Sequence, residues 1–490
     1  MNWRDEYKKK LMSFEQAAKL IKSGDRVHIP VSDTPDEIIT AIIARKDELR
    51  GVHIDLSAPG SPYLFFYPGY EESFLVTIVN FTLLARDGVR ERRLDYMPFA
   101  IGNMRKLFDY EERPMDIKPV DVLLIKVRPP NERGFCNLGP VLWYKKTCAK
   151  FARKIIAEID STMSFVFGDT FMHVSEIDAF VEHDSPMMWD EEVEPFLDRM
   201  ESERKEKISK FIWELGPRMR GRIVPMLEIV PMTFLDLAPK WLGLEAPTEA
   251  EKSIAGYLST LIKDGDCIQL GAGTPTAYMP GLGVFDNRLD LGLHSEISGR
   301  MVATLIDQGV ITGKHKTIRP GKSVTCSWEG ASEKELMNII ESNPNCESYD
   351  PHIVFRQFAE QENMTAINSI LSIDLLGQIT AEYVPGPTIV YGAGGQPECH
   401  IGALHAKGGK AISLLSSTSL GGTISNIVPM FDAGIAVTIP RYWADYVITE
   451  YGIARLHGKS NRERAGELIA IAHPDCRAEL KKEAQRLFYP

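Results

Sequence analysis

A histidine, a serine and a carboxylate stand side by side in "LGLHSE", Leu291–Glu296. These are the parts of a hydrolytic triad, but a triad is assembled from groups that converge in space. The run reads as a buried strand, on which neighbours point to opposite faces. His294 and Glu296 therefore share a side and Ser295 faces away, which excludes a triad within the tripeptide. Glu296 is left as a general base, a nucleophile or a structural ion-pair partner. No second acidic residue or histidine stands at ligand spacing around it, so no metal site is expected.

Two glycine-rich stretches supply the other groups suited to chemistry. In "CIQLGAGTPTAYM" the residues Gly271, Ala272, Gly273, Thr274 and Pro275 follow a strand and are expected to precede a helix. Thr274 is placed to cap that helix and Pro275 to open it. Glycines let a ligand approach the backbone N–H groups, and the dipole of a helix start favours an anion. The stretch fails as a dinucleotide fingerprint, because Thr276 stands where the third glycine belongs. A ligand loop and a plain tight turn both fit the pattern. "TIVYGAGGQPECHIGALHAKGGK" repeats the arrangement, with Gly392, Gly394 and Gly395 before a helix. Three glycines in four residues cost stability and suit backbone donors that must meet an oxyanion or a thioester carbonyl. Lys407, at the end of that helix, is either surface charge or a phosphate contact.

The elements that must carry these residues occur twice. "LIKSGDRVHIPVSDTP" (20–35) is similar to "LIKDGDCIQLGAGTP" (261–275). In the same order, the stretches 120–139, 154–162 and 178–183 resemble 364–382, 410–418 and 445–452. Two similar α/β halves follow, 1–244 and 245–490, with the seam near "LEAPTEAEKS". The runs "IVPMLEIV", "AISLL" and "AGIAVTIP" are continuously apolar and are read as strands of parallel sheets covered on both faces. Such sheets bind ligands at the carboxyl ends of their strands. The stretch 185–222 has few echoes in the second half and is read as a helical insertion, a solvated amphipathic helix on the surface. A sharper reading makes it a cap bringing Met187, Met188, Trp189 or Trp213 to a ligand.

The remaining composition narrows the class. The chain has 490 residues, 44% hydrophobic and 25% charged, with a net charge of −11. That balance speaks against a general nucleic-acid binder, though single lysines and helix starts still bind anions. The seven cysteines are scattered without CxxC or zinc spacing, which suits reduced thiols in a cytoplasmic protein. "MNWRDEYKKK" has no apolar core, so no signal peptide is expected. No apolar run reaches membrane-spanning length, so no membrane association is expected either.

The motifs "LGAGTP", "LGLHSE", "MTAINSILSIDLLGQITAE", "GAGGQ", "SSTSLGGTISNIVP" and "DYVITEYGIARLHGKSNRERAGELIAIAHPD" resemble the acetyl-CoA hydrolase/transferase family, which includes the 4-hydroxybutyrate CoA-transferases. The resemblance spans nearly the whole chain and is strongest from about Gly265 to Leu480. It implies two similar open parallel-sheet α/β domains with the active site in the cleft between them. It implies that Glu296 is the nucleophile of a ping-pong reaction, passing through an acyl-glutamyl anhydride and then a glutamyl-CoA thioester. It also implies that the loop Gly271–Pro275 and Lys407 hold coenzyme A, and that Gly395 lies at the oxyanion. Asn368 and Glu450 match polar residues of the site. Coenzyme A is then a substrate, with no tightly bound cofactor, the partners are an acyl-CoA and a small carboxylic acid, and a homodimer or higher homo-oligomer is expected. An acyl-CoA hydrolase using the same glutamate is the nearest alternative. A sugar-phosphate isomerase or a regulatory ligand-binding protein on a related fold is the more distant one. The residues after Glu296 and after Gly395 depart from many relatives, so the acid itself is not implied.

Overall fold

The computed structural model describes residues 2–489 except 32–33, 229, 231, 242–243, 300, 329–333 and 385–387. By internal contacts the chain divides into two compact units, Met1–Pro239 with Cys326–His352, and Lys240–Thr325 with Ile353–Pro490. The first carries a seven-stranded sheet, parallel throughout. Its order is Ala179–Glu182, Lys154–Ile159, Val122–Val127, Arg26–Ile29, Val52–Ser57, Phe74–Asn80, Asp95–Tyr96. The second sheet's strands run Gly452–Arg455, Tyr446–Thr449, Lys410–Leu414, Met364–Ser369, Cys267–Leu270 and Gly292–Ile297, all of the second unit, and on to Ser323–Ser327, whose last two residues belong to the first. From Tyr446–Thr449 to Gly292–Ile297 the neighbours are parallel, and Gly452–Arg455 folds back antiparallel at the edge.

With the short Asp95–Tyr96 strand left out of the first sheet, and with only the six strands from Tyr446–Thr449 to Ser323–Ser327 taken from the nine-stranded second sheet, both series follow the chain order sixth, fifth, fourth, first, second, third. Each of the four sequence echoes falls on strands of equal rank. The repeated apolar segments are therefore one fold built twice. In each unit the order reverses between the first and fourth strands, and that reversal opens a crevice at their carboxyl ends. Val122–Val127 shows why the strands look uniformly apolar: every residue in it is buried. Its one charge, Lys126, pairs with buried Glu158 at 3.1 Å.

Several segments differ from the sequence expectation. The first five residues of "IVPMLEIV" end the helix Pro217–Leu227 and form no strand, and its Ile229 lies outside the described residues. Pro217 opens that helix at the position proline favours. Arg218 and Arg222, four apart and so on one face, reach Asp160 at 3.0 Å and Asp36 at 3.5 Å. "AGIAVTIP" is irregular apart from a bridge between Ile439 and Ile379. The charged part of the insertion is not one helix. It breaks at Met200–Glu201 into Asp190–Leu197 and Ser202–Ser209, which bury Val193, Phe196, Leu197 and Ile208. Met187, Trp189 and Trp213 are exposed there. Within the expected linker, Thr248 and Glu251 form a capping box that starts the helix Glu249–Ser259.

Candidate active site

Strand alternation sorts the three residues of "HSE" as expected. Ser295 turns toward the neighbouring strand, where its hydroxyl donates to the Leu270 carbonyl, and it also reaches the Ile297 carbonyl of its own strand. This serine staples a register shift between Ile268 and Leu270. His294 points to the other face, with Nε2 on the Val354 carbonyl at 2.8 Å and its ring edge-on to Phe358. Burial pushes its pKa down to about 3, so the imidazole is neutral. Glu296 shares that face and is 8% exposed. Its Oε2 accepts the Gly395 N–H at 3.0 Å.

Gly395 caps the helix Gln396–His405, with Pro397 in its first turn. The "GAGGQ" stretch therefore aims a helix start at the Glu296 carboxylate, the place where a negative charge is best received. A Cβ on Gly395 would overlap both Glu296 Oε2 and the Phe355 ring. Its φ of −90° is open to any residue, so glycine is required there for space and not for conformation.

The Gly271 loop leaves the adjacent strand at the same edge. A Cβ on Gly271 would overlap the Asn368 amide, and Asn368 is tied to Gln269 by two reciprocal hydrogen bonds of 2.9 and 3.1 Å. The loop does not lead into an α-helix. Only the three-residue 3-10 turn Thr276–Tyr278 follows, Thr274 makes no cap, and the Thr274–Pro275 bond is cis. The loop is anchored to Ser369 instead, whose hydroxyl bonds Thr276 and the Gly273 carbonyl. Gln396 donates to the Ser369 carbonyl at 3.4 Å. Ser369 thus bridges the two glycine loops, and nothing in its local sequence marks that role. Two strands further, after Tyr446–Thr449, Glu450 accepts from the Ser417 N–H and hydroxyl at 2.9 and 2.6 Å.

Glu296, Gly271, Asn368, Ser369 and Glu450 therefore all stand at the carboxyl edge of the second unit's parallel strands. Lys407 does not. It lies past the far end of the Gln396–His405 helix, ~15 Å along the axis from Gly395, exposed and paired with Glu362 at 3.1 Å.

Burial raises the Glu296 pKa to about 8, with Glu398 adding to the effect and the Gly395 N–H opposing it. A carboxylate that nucleophilic chemistry needs ionised is then mostly protonated at neutral pH. The rate of any attack by Glu296 is expected to rise with pH through a midpoint near 8 and level off above it. A pH profile of kcat/KM for an acyl-CoA checks this, and a midpoint near that of an ordinary glutamate would contradict it. Among the described residues, no group of three or more histidine, cysteine, aspartate or glutamate side chains is arranged to hold a metal ion. No helix among them is long and apolar enough to cross a membrane.

Comparison with known proteins gives the family. Residues 1–188 match the acetyl-CoA hydrolase/transferase N-terminal domain and residues 332–484 the C-terminal domain of the same family. The chain is 33% identical to the 4-hydroxybutyrate coenzyme A transferase of Clostridium kluyveri, over 100% of both chains. It is 30% identical to the succinyl-CoA:cyclohexane-1-carboxylate CoA transferase of Geobacter metallireducens, over 99% of this chain and 97% of that one. The crystal structure of RipA from Yersinia pestis superposes with a TM-score of 0.80 at 25% identity, covering 100% of each chain. A chain with this duplicated parallel-sheet fold, matched along its full length at this identity, belongs to the acetyl-CoA hydrolase/transferase family.

Proposed function

We propose that this protein is a CoA-transferase that moves coenzyme A from an acyl-CoA to a free carboxylic acid, with Glu296 as the covalent nucleophile. The observation that carries the reading is the Gly395 N–H held 3.0 Å from Glu296 Oε2 at the start of a helix. The Glu296 carboxylate attacks the acyl-CoA carbonyl and the C–S bond breaks, giving a mixed anhydride and the CoA thiolate. The thiolate attacks the glutamyl carbonyl of the anhydride, the first acid leaves, and a glutamyl-CoA thioester remains. The second acid reverses both steps and departs as its CoA ester. Each addition places negative charge on a carbonyl oxygen, and a backbone donor such as the Gly395 N–H is suited to receive it.

In this reading the Gly271–Pro275 loop receives coenzyme A beside the nucleophile, while Lys407, at the far end of the helix and paired with Glu362, takes no part. The halves 1–244 and 245–490 act as the two domains of the enzyme, in the cytoplasm, as a homo-oligomer and without a tightly bound cofactor. Burial of Glu296 favours transfer over hydrolysis, because an acyl-enzyme in a dry site waits for its acceptor. The acids of relatives differ, 4-hydroxybutyrate in one name and cyclohexane-1-carboxylate in another, so a panel of acids is needed.

The test is to incubate the enzyme with acetyl-CoA and no acceptor. The protein mass is expected to rise by one CoA less one water, with a stoichiometric release of acetate. Borohydride should then reduce the adduct on the peptide containing "LGLHSEISGR". Two-substrate kinetics should give parallel double-reciprocal lines. Sequential kinetics, or an adduct on another peptide, would rule the reading out.

A further inference from the structure

Glu296 is held by more than one hydrogen bond. The collision that a Cβ on Gly395 would make with both Glu296 Oε2 and the Phe355 ring puts ring and carboxylate within van der Waals reach of each other. Phe355 is 7% exposed and stacks on Phe358 at 5.6 Å and 15°. Phe358 in turn takes the His294 ring edge-on at 5.2 Å. His294 closes the circuit through its hydrogen bond to Val354, the residue before Phe355. The strand of the nucleophile is thus braced against the segment that supplies the ring. The ionisable groups around the carboxylate do not replace water. Glu398, from the Gln396–His405 helix, carries the same charge. His294, two residues before Glu296 on the same strand, is buried and neutral. Among the described residues none forms an ion pair with Glu296, whose carboxylate meets the Gly395 N–H and lies beside the Phe355 ring.

Resting on the covalent reading above, we propose that Phe355 is a positioning residue that keeps water from the Glu296 carbonyl, so that the glutamyl-CoA thioester waits for an acid. The competing step is simple hydrolysis. Water adds to the glutamyl carbonyl carbon, a C–O bond forms and the C–S bond breaks. The thiolate takes one of the water's protons, the other is released, and free CoA and the Glu296 carboxylate result. Acyl-CoA is then consumed with no acid converted. In a water-exposed site the carboxylate would also ionise more readily.

The full-length enzyme carries the test, with acetyl-CoA as the probe and no acceptor. Intact mass and thiol release follow the lifetime of the adduct in the parent, Phe355→Ala and Phe355→Leu. The alanine variant is expected to shorten that lifetime by on the order of tenfold or more, because water then reaches the glutamyl carbonyl. It should also move the pH midpoint of kcat/KM from near 8 toward that of an ordinary glutamate. Leucine, which keeps an apolar side chain, should fall between alanine and the parent. If Phe355 is packing alone, melting temperatures fall while lifetime and midpoint stay, and the proposal is overturned. Should the alanine variant not fold, the leucine variant decides by the same two readouts. A parent enzyme that forms no adduct would overturn the Glu296 reading itself. An adduct in the parent with an unchanged lifetime in the variants would overturn only the role of Phe355.

Discussion

A Glu296→Gln enzyme is expected to lose transfer by on the order of a thousandfold or more, as enzymes do when a covalent nucleophile is removed. The same variant should melt higher than the parent in alkaline buffer. The sign follows from the raised pKa of about 8. Between the ordinary glutamate pKa of 4.5 and about 8, the folded site keeps a proton that the unfolded chain has given up. The parent's relative stability is therefore complete below about 4.5 and is lost as pH rises through 8, because folding must then bury a charge. Glutamine is neutral throughout and its amide oxygen still accepts the Gly395 N–H. The gain should be nil at the acid end and reach on the order of a few kcal/mol above pH 8. Melting curves of both proteins across this range measure it. A variant that retains more than a few per cent of transfer, with the substitution verified by mass, would end the nucleophile assignment. A variant that is inactive but no more stable at high pH would mean the resting carboxylate is better solvated than its burial implies.

Gly395→Ala is the second large effect expected, a loss of transfer of on the order of a hundredfold or more. Its backbone suits alanine, so strain is not the reason. The added methyl would overlap the Phe355 ring and the Glu296 carboxylate, and something at the nucleophile must shift. The N–H that meets Oε2 would be carried away with the loop. Gly466→Ala is the matched control. It lies within the helix Asn461–Ala470, where a Cβ meets nothing within 4 Å. There the substitution should leave activity alone and stabilise the helix by up to about 1 kcal/mol. Steady-state transfer rates and melting of the two variants separate a local from a general effect. A Gly395→Ala enzyme with normal turnover and normal melting would reduce the "GAGGQ" stretch to a turn.

Much of this was legible in the residues themselves. Alternation along a strand is a local property, so "LGLHSE" was enough to place His294 and Glu296 on one face and Ser295 on the other. The four ordered echoes between the halves were likewise enough to anticipate one α/β unit built twice, since segments that fold alike retain similar apolar runs and turns. The motifs pointed to the family, which the full-length matches bear out.

What failed was decided by the tertiary structure. A short apolar run is compatible with a buried strand or a buried helix. In "IVPMLEIV" the choice fell to helix because Pro217 opens one and Arg218 and Arg222 find Asp160 and Asp36 on a single face. Thr274 and Pro275 satisfy every local rule for a helix start, yet the loop they belong to is held by Ser369, 95 and 94 residues further along the chain. The wall beside the nucleophile came from Phe355, about sixty residues after Glu296 in the chain. Alternation and turn chemistry are fixed by neighbours in sequence. Which ring lies on a carboxylate, and so how much water it sees, depends on which distant segments the sheet order brings to one edge.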